Sequence, residues 1–86
     1  MANEALSDVV CQPDGNGVWS FSGTLTNSGS ADVKYTVAVA VGTTSSVAGH
    51  AMIEQVVAAG AKAAVHADAF ASNVPAGAKC EAVVSK

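Results

Sequence analysis

Residues 33–41 have the sequence Val-Lys-Tyr-Thr-Val-Ala-Val-Ala-Val, in which every second residue is a larger apolar one. Successive side chains of a β-strand point to opposite faces of the sheet, so this alternation predicts a strand with one buried face. The repeated valines also disfavour a helix, because each loses χ1 freedom against the preceding turn. We therefore interpret this segment as a strand of a half-buried sheet.

Two further segments have a similar period of two. Residues 18–26 place Trp, Phe, Gly and Leu on one face and Ser and Thr on the other, and residues 79–85 place Cys80, Ala82 and Val84 on one face. Residues 12–17 and 27–32 are rich in Gly, Asn, Asp and Pro, which are turn formers. A turn at residues 12–17 predicts that residues 6–11 pair with residues 18–26.

Residues 51–71 fit two structures. Their larger side chains follow helical spacing, and Ala, Met, Glu, Gln and Lys are good helix formers. Gly60 opposes a helix at a cost of about 1 kcal/mol, and it divides the segment into two halves of strand length. In the second half, alternate residues from Ala61 to Ala69 would share one side. From the residues alone, a helix and two strands both remain open.

The chain has 86 residues, 50% of them apolar, which predicts one small globular domain. We assign residues 6–86 to this domain and expect residues 1–5 to be disordered, because nothing in them would fix the chain. The apolar half consists mainly of 18 Ala and 14 Val. Since Ala buries little apolar surface, the core is thin and a further stabiliser is expected.

The charge pattern indicates that the chain does not bind nucleic acid. Four Lys, no Arg and seven acids give a net charge of −3, whereas nucleic-acid binding needs clustered basic residues. No stretch approaches the roughly 20 apolar residues of a membrane span, so we expect no membrane insertion of this segment.

Cys11 and Cys80 lie near opposite ends of the chain, a spacing that fits neither a redox motif nor a zinc site. A disulfide between them would close a loop of about 70 residues and stabilise the fold by roughly 4 kcal/mol. Two buried free thiols are the alternative. A disulfide places the domain outside the cytoplasm, secreted, on the cell surface or in a periplasm, and a signal or anchor upstream would then have been removed.

A family resemblance bears on the ambiguous segment. Gly23-Thr24-Leu25-Thr26-Asn27, Tyr35-Thr36-Val37-Ala38-Val39 and Ala59-Gly60-Ala61-Lys62-Ala63, followed by a last strand with Cys80, resemble the FxLYD-like group of bacterial extracytoplasmic domains. Actinobacterial members often carry cysteines near both ends. The chain departs from the pattern at Ala59, where Pro is common, and after Val41, where an Asp-Gly hairpin and an aromatic residue are usual.

The resemblance implies an all-β, immunoglobulin-like antiparallel β-sandwich of six or seven strands with one disulfide. Residues 51–58 and 61–70 would then be strands, and an α+β fold with a helix over residues 51–71 is the alternative. The Cys11–Cys80 bridge would tie the first strand to the last. We expect a core made of Trp19, Phe21, Leu25, Tyr35, Val37, Val39, Val65 and Val84.

No pattern in the chain indicates chemistry. His50 and His66 could be imagined with Met52 or Asp68 as a copper or zinc site, but the ligand pattern of a cupredoxin is absent, so we expect no metal and no cofactor. There is no GxSxG motif, no ordered triad and no pair of carboxylates, so we expect no enzymatic activity. Trp19 and Tyr35 lie on apolar faces and are expected in the core.

The predicted function is that of a non-catalytic interaction or spacer module that recognises a protein through its edge strands or loops. The first candidate loop consists of Thr43, Thr44, Ser45, Ser46 and Val47. Two alternatives are a small ligand- or metal-binding periplasmic or secreted domain, and a structural subunit or appendage domain of a surface fibre or phage particle. The sequence identifies neither the partner nor the oligomeric state.

Overall fold

The computed structural model describes residues 2–86 and consists almost entirely of strands. Between residues 2 and 86 a short 3-10 turn at Asn3–Ala5 precedes six strands: β1 (Leu6–Pro13), β2 (Trp19–Thr26), β3 (Val33–Thr43), β4 (Ser46–Val57), β5 (Lys62–Ala71) and β6 (Lys79–Ser85). They form two antiparallel sheets of three strands, ordered β1-β2-β5 and β4-β3-β6. This confirms the predicted all-β sandwich.

The ambiguous residues 51–71 belong to two strands. They form most of β4 and all of β5, and the turn between the strands contains Gly60 with a φ of +72°. The Gly60 N–H donates to the carbonyl of Asn27 in the turn after β2, at 2.8 Å. Alanine-rich composition favoured a helix, but pairing of β4 with β3 and of β5 with β2 outweighs that local preference.

The core lies between the sheets, where the inward faces of β2 and β3 meet. Seven of the eight predicted core residues are buried: Phe21, Leu25, Tyr35, Val37, Val39, Val65 and Val84. The prediction was wrong for Trp19, which is only partly buried and lies outside the buried cluster. Trp19 is the first residue of β2 and lies beyond the point where the pairing with β5 shifts, a shift caused by extra residues in β5.

The same irregularity changes the inward face of β5. Ala63, Val65 and Ala67 point inward as predicted, but Ala69 is exposed with a φ of +51°. The Ala69 N–H donates to the Ser20 hydroxyl at 3.1 Å. Two residues later, Ala71 is buried again. A period of two cannot predict the extra residues that such a bulge inserts.

The hairpin between β3 and β4 is tighter than predicted. The candidate loop comprises residues 43–47, yet only Thr44 and Ser45 lie outside the strands. The register shifts after Val41, where a Cβ on Gly42 would overlap the Ser46 carbonyl oxygen. Glycine at position 42 therefore allows the two backbones to approach closely enough for a short turn.

The two sheets are joined along both sides. On one side, the disulfide connects Cys11 of β1 with Cys80 of β6, with a Cα–Cα distance of 6.3 Å, which confirms the predicted bridge between the first and last strands. On the other side β4 approaches β5 so closely that a Cβ on Gly49 would overlap the Ala71 methyl group. The sandwich thus protects much of its strand edges.

The N-terminal turn packs beside β6. Ala2 and Ala5 are buried, the Ala2 N–H donates to the Val84 carbonyl at 2.7 Å, and the Val84 N–H donates to Asn3 Oδ1 at 2.6 Å. These contacts cover the backbone of β6 at its end. The predicted disorder of residues 1–5 concerns motion in solution and stays a prediction, and Met1 lies outside the described residues.

Candidate interaction surface

The residues considered for metal binding or catalysis are dispersed. His50 lies on the outward face of β4 and His66 on that of β5, so the two histidines belong to opposite sheets. Met52 shares the outward face of His50, and Asp68 that of His66. Within residues 2–86, no group of three or more His, Cys, Asp or Glu side chains is arranged to hold a metal ion.

The outward faces of the two sheets differ in chemistry. On the β1-β2-β5 sheet, the central strand presents only hydroxyl side chains outward: Ser20, Ser22, Thr24 and Thr26. On the β4-β3-β6 sheet, the central strand presents Lys34 and Thr36 and then a run of small residues: Ala38, Ala40 and Gly42. The central strand of one sheet therefore offers water a row of hydroxyl groups, whereas the central strand of the other offers two methyl groups and a glycine in the same place.

Larger apolar side chains flank this run of small residues. Ala38 pairs with Met52 of β4 on one side and with Val83 of β6 on the other, forming one row across the sheet. Met52 is 69% exposed and Val83 is 42% exposed. We call this surface the alanine face and define it as the outward side chains of the β4-β3-β6 sheet.

The next row of the alanine face is polar at both ends. Ala40 pairs with His50 of β4 and with Glu81 of β6. The two polar side chains thus lie two strand spacings apart, about 10 Å, with only a methyl group between them. An imidazole and a carboxylate at this separation do not satisfy each other within one chain.

The charges on the alanine face balance. It carries Lys34, Lys79, Glu54 and Glu81, and Lys34 Nζ lies 2.9 Å from the Glu54 carboxylate. Because this face is formally neutral, the net charge of −3 resides on the rest of the molecule. The ion pair itself is exposed and contributes at most about 1 kcal/mol to stability.

A depression of about 390 Å³ continues the alanine face at the hairpin end. Its lining comes from the β3–β4 hairpin and from the start of β6: Ala40, Val41, Gly42, Thr43, Thr44, Val47, Gly77, Lys79 and Glu81. Three of the five predicted loop residues, Thr43, Thr44 and Val47, border this depression. Ser45 is at the turn, where its hydroxyl lies 3.4 Å from that of Thr43, and Ser46 begins β4.

Sequence reasoning missed the greater part of this surface. The alternation of β3 correctly assigned Ala38 and Ala40 to the outward face, but it did not show which side chains of β4 and β6 lie beside them. The available signal was a contrast between strands, since outward positions are Ser and Thr in β2 and largely Ala in β3.

No helix within residues 2–86 is long and apolar enough to cross a membrane. The chain matches no known protein-family model and no curated protein sequence.

Proposed function

We propose that this chain is a non-catalytic, immunoglobulin-like domain of the FxLYD-like type that works outside the cytoplasm and recognises a protein through its alanine face. The observation that carries the proposal is the chemical difference between the two outward faces. The side of a sheet that faces water usually carries polar residues, as the outward positions of β2 do. The outward alanines of β3, flanked by Met52 and Val83, are instead apolar. Exposed apolar surfaces of this kind mark interaction sites.

The extracytoplasmic location is supported by the Cys11–Cys80 disulfide, which joins residues 69 positions apart. Such bonds persist in oxidising compartments and are rare where thioredoxin and glutathione keep thiols reduced. The domain also has a thin core, with seven large side chains fully buried, so it depends on the bond for part of its stability.

Recognition by the face and the hairpin end is favoured over recognition by strand edges. The N-terminal turn hydrogen-bonds to the edge of β6 at Val84, and β4 and β5 are in contact with each other at Gly49 and Ala71. An added strand would have to displace these contacts. The exposed side chains of Val47 and Met52 need no such displacement.

Site-specific photo-crosslinking in the producing cells tests this proposal. A photoreactive phenylalanine analogue replaces Val47 or Met52 on the alanine face, and Ala64, exposed on the other sheet, as the matched control. We expect discrete crosslinked protein products from positions 47 and 52 and none from position 64. Equal labelling at all three positions, or no product at 47 and 52, would contradict recognition by this face.

A further inference from the structure

We propose that the alanine face binds the alanine face of a second copy of this chain, giving a two-fold symmetric dimer with the two sheets packed face to face. The inference rests on the proposed role of this face in protein recognition and names the partner. Homodimers with two-fold symmetry are the commonest soluble assemblies, and they require a surface that is complementary to itself.

The strand register supplies that complementarity. A two-fold axis parallel to β3, lying between the two sheets, places β4 of one chain opposite β6 of the other. Met52 then faces the partner subunit's Val83, because both belong to the row centred on Ala38. His50 faces the partner subunit's Glu81 in the adjacent row. Symmetry makes each contact twice.

The facing side chains match in chemistry. Met52 against valine buries two apolar groups that are 69% and 42% exposed in the single chain. His50 against glutamate brings an imidazole N–H donor to a carboxylate acceptor, and among residues 2–86 neither side chain has an ion-pair partner. An axis across the strands, midway between these two rows, would instead set Met52 against the partner subunit's His50, which is a less favourable pairing.

The centre of the face permits close approach. Ala38 and Ala40 lie on the axis and would meet the same residues of the partner, so only methyl groups separate the two central strands. Packed sheets lie about 10 Å apart and cross at about 30°, which keeps the two rows next to the axis in register. The bordering side chains of β4 and β6 fill the flanks.

The charge distribution points to the same surface. Two copies that each carry −3 repel one another in most orientations. The alanine face is formally neutral, with Lys34 paired to Glu54 and with Lys79 and Glu81 nearby, so approach through this face avoids the repulsion between the acidic surfaces. In this dimer the acidic surfaces of both chains point away from the interface.

The size of the face sets the expected strength. Three strands about 5 Å apart and some 30 Å of strand length give a contact near the lower end of specific interfaces, about 1,000 Å² in total. We therefore expect reversible association, with a dissociation constant between about 10 μM and 1 mM. Association of this kind depends on concentration.

Sedimentation equilibrium at protein concentrations from about 10 μM to about 1 mM tests the proposal. The weight-average mass of the wild type is expected to rise from that of the 8.4 kDa chain toward twice that value. Ala38→Lys, at the centre of the face, should weaken association at least about tenfold. Ala64→Lys changes the net charge equally on the other sheet and should leave association unchanged.

A charge-exchange series tests the facing pair. His50→Glu would set a carboxylate against the partner subunit's Glu81 and should weaken association about tenfold. Adding Glu81→Lys should restore it to within about threefold of the wild type, because the carboxylate introduced at position 50 would then face a lysine. Adding Asp68→Lys instead gives the same net charge with the lysine on the other sheet, and it should not restore association.

A wild type that remains monomeric at about 1 mM would overturn the dimer, while crosslinks from positions 47 and 52 to a different protein would leave the proposed function standing. Equal restoration by Glu81→Lys and Asp68→Lys would also overturn it, since overall charge and not the facing pair would then govern association. Circular dichroism and thermal unfolding of each variant test whether the fold is retained. Association of the double variant His50→Glu with Glu81→Lys would itself show that this variant is folded.

Discussion

Asn27 is the buried polar side chain of the core among residues 2–86, and it connects the β2–β3 turn with the β4–β5 turn. Its amide group donates to the carbonyls of Ala31 at 2.8 Å and of Val57 at 3.0 Å, and its Oδ1 accepts from the Gly29 N–H. Its backbone pairs with Ala61 and Gly60. The residue thus fixes where β2 leaves one sheet, where β4 ends and where β5 begins.

Replacing Asn27 with Ala should lower the free energy of unfolding by about 2–4 kcal/mol, because the buried hydrogen bond to the Val57 carbonyl and the part-buried one to the Ala31 carbonyl are lost. Asn16→Ala is the control, since Asn16 lies in an exposed turn and its side chain makes no hydrogen bond in the structure. Urea unfolding of both variants measures the difference. Equal stabilities would show that Asn27 does not hold the turns together.

Gly49 lies where β4 of one sheet comes close to β5 of the other. A Cβ at this position would overlap the Ala71 methyl group and lie 2.7 Å from the Phe70 carbonyl oxygen. Gly49→Ala should therefore cost about 1–3 kcal/mol as β4 and β5 are forced apart. Gly15→Ala meets nothing within 4 Å and should change stability by no more than about 0.5 kcal/mol. A tolerated alanine at position 49 would contradict the close contact of β4 and β5.

At the scale of the elements, sequence pattern predicted the strands best where apolar and polar residues alternate without interruption. β3 and β6 have the predicted inward faces along their whole length. The pattern was insufficient at the bulge, since the extra residues of β5 opposite Ser20 expose Ala69, and nothing in a period of two encodes them. Alanine caused the remaining ambiguity, because it suits helices and either face of a strand.

The N-terminal turn lies in the segment that the sequence predicts to be disordered. Asn3→Ala should cost about 1 kcal/mol, because the Val84 N–H loses its acceptor. Glu4→Ala, at an exposed position of the same turn, should change stability by no more than about 0.5 kcal/mol. Amide exchange at Val84, followed by NMR, should speed up in the first variant. An unchanged rate would support a disordered N-terminus.

At the scale of the whole molecule, the disulfide compensates for a thin core. The bond closes a loop across 69 positions and joins the two sheets directly. Replacing both cysteines with Ser should lower the free energy of unfolding by about 3–5 kcal/mol, a large part of what a domain of this size has. Guanidinium unfolding measures it, and the wild type in a strong reductant should lose a similar amount. A small loss in both experiments would mean that packing alone holds the sheets together.

The two outward faces divide the molecule into a polar side and an apolar side. The hydroxyl groups of β2 need no partner but water, whereas the alanines of β3 with Met52 and Val83 leave apolar surface to be covered. The sequence predicted an interaction module and located its hairpin, but it could not assemble this surface, because the surface combines three strands that are distant in the chain. The proposed recognition of a protein depends on this surface of three strands.

Association of two copies through the alanine face is tested most directly by a dilution series from about 1 mM to about 20 μM protein, followed by two-dimensional 1H–15N NMR. Such association should change the chemical shifts of β3, β4 and β6 with concentration, at positions such as Ala38, Met52 and Val83, while those of β1, β2 and β5 remain unchanged. Spectra that do not change with concentration, or shifts centred on the β1-β2-β5 sheet, would contradict it.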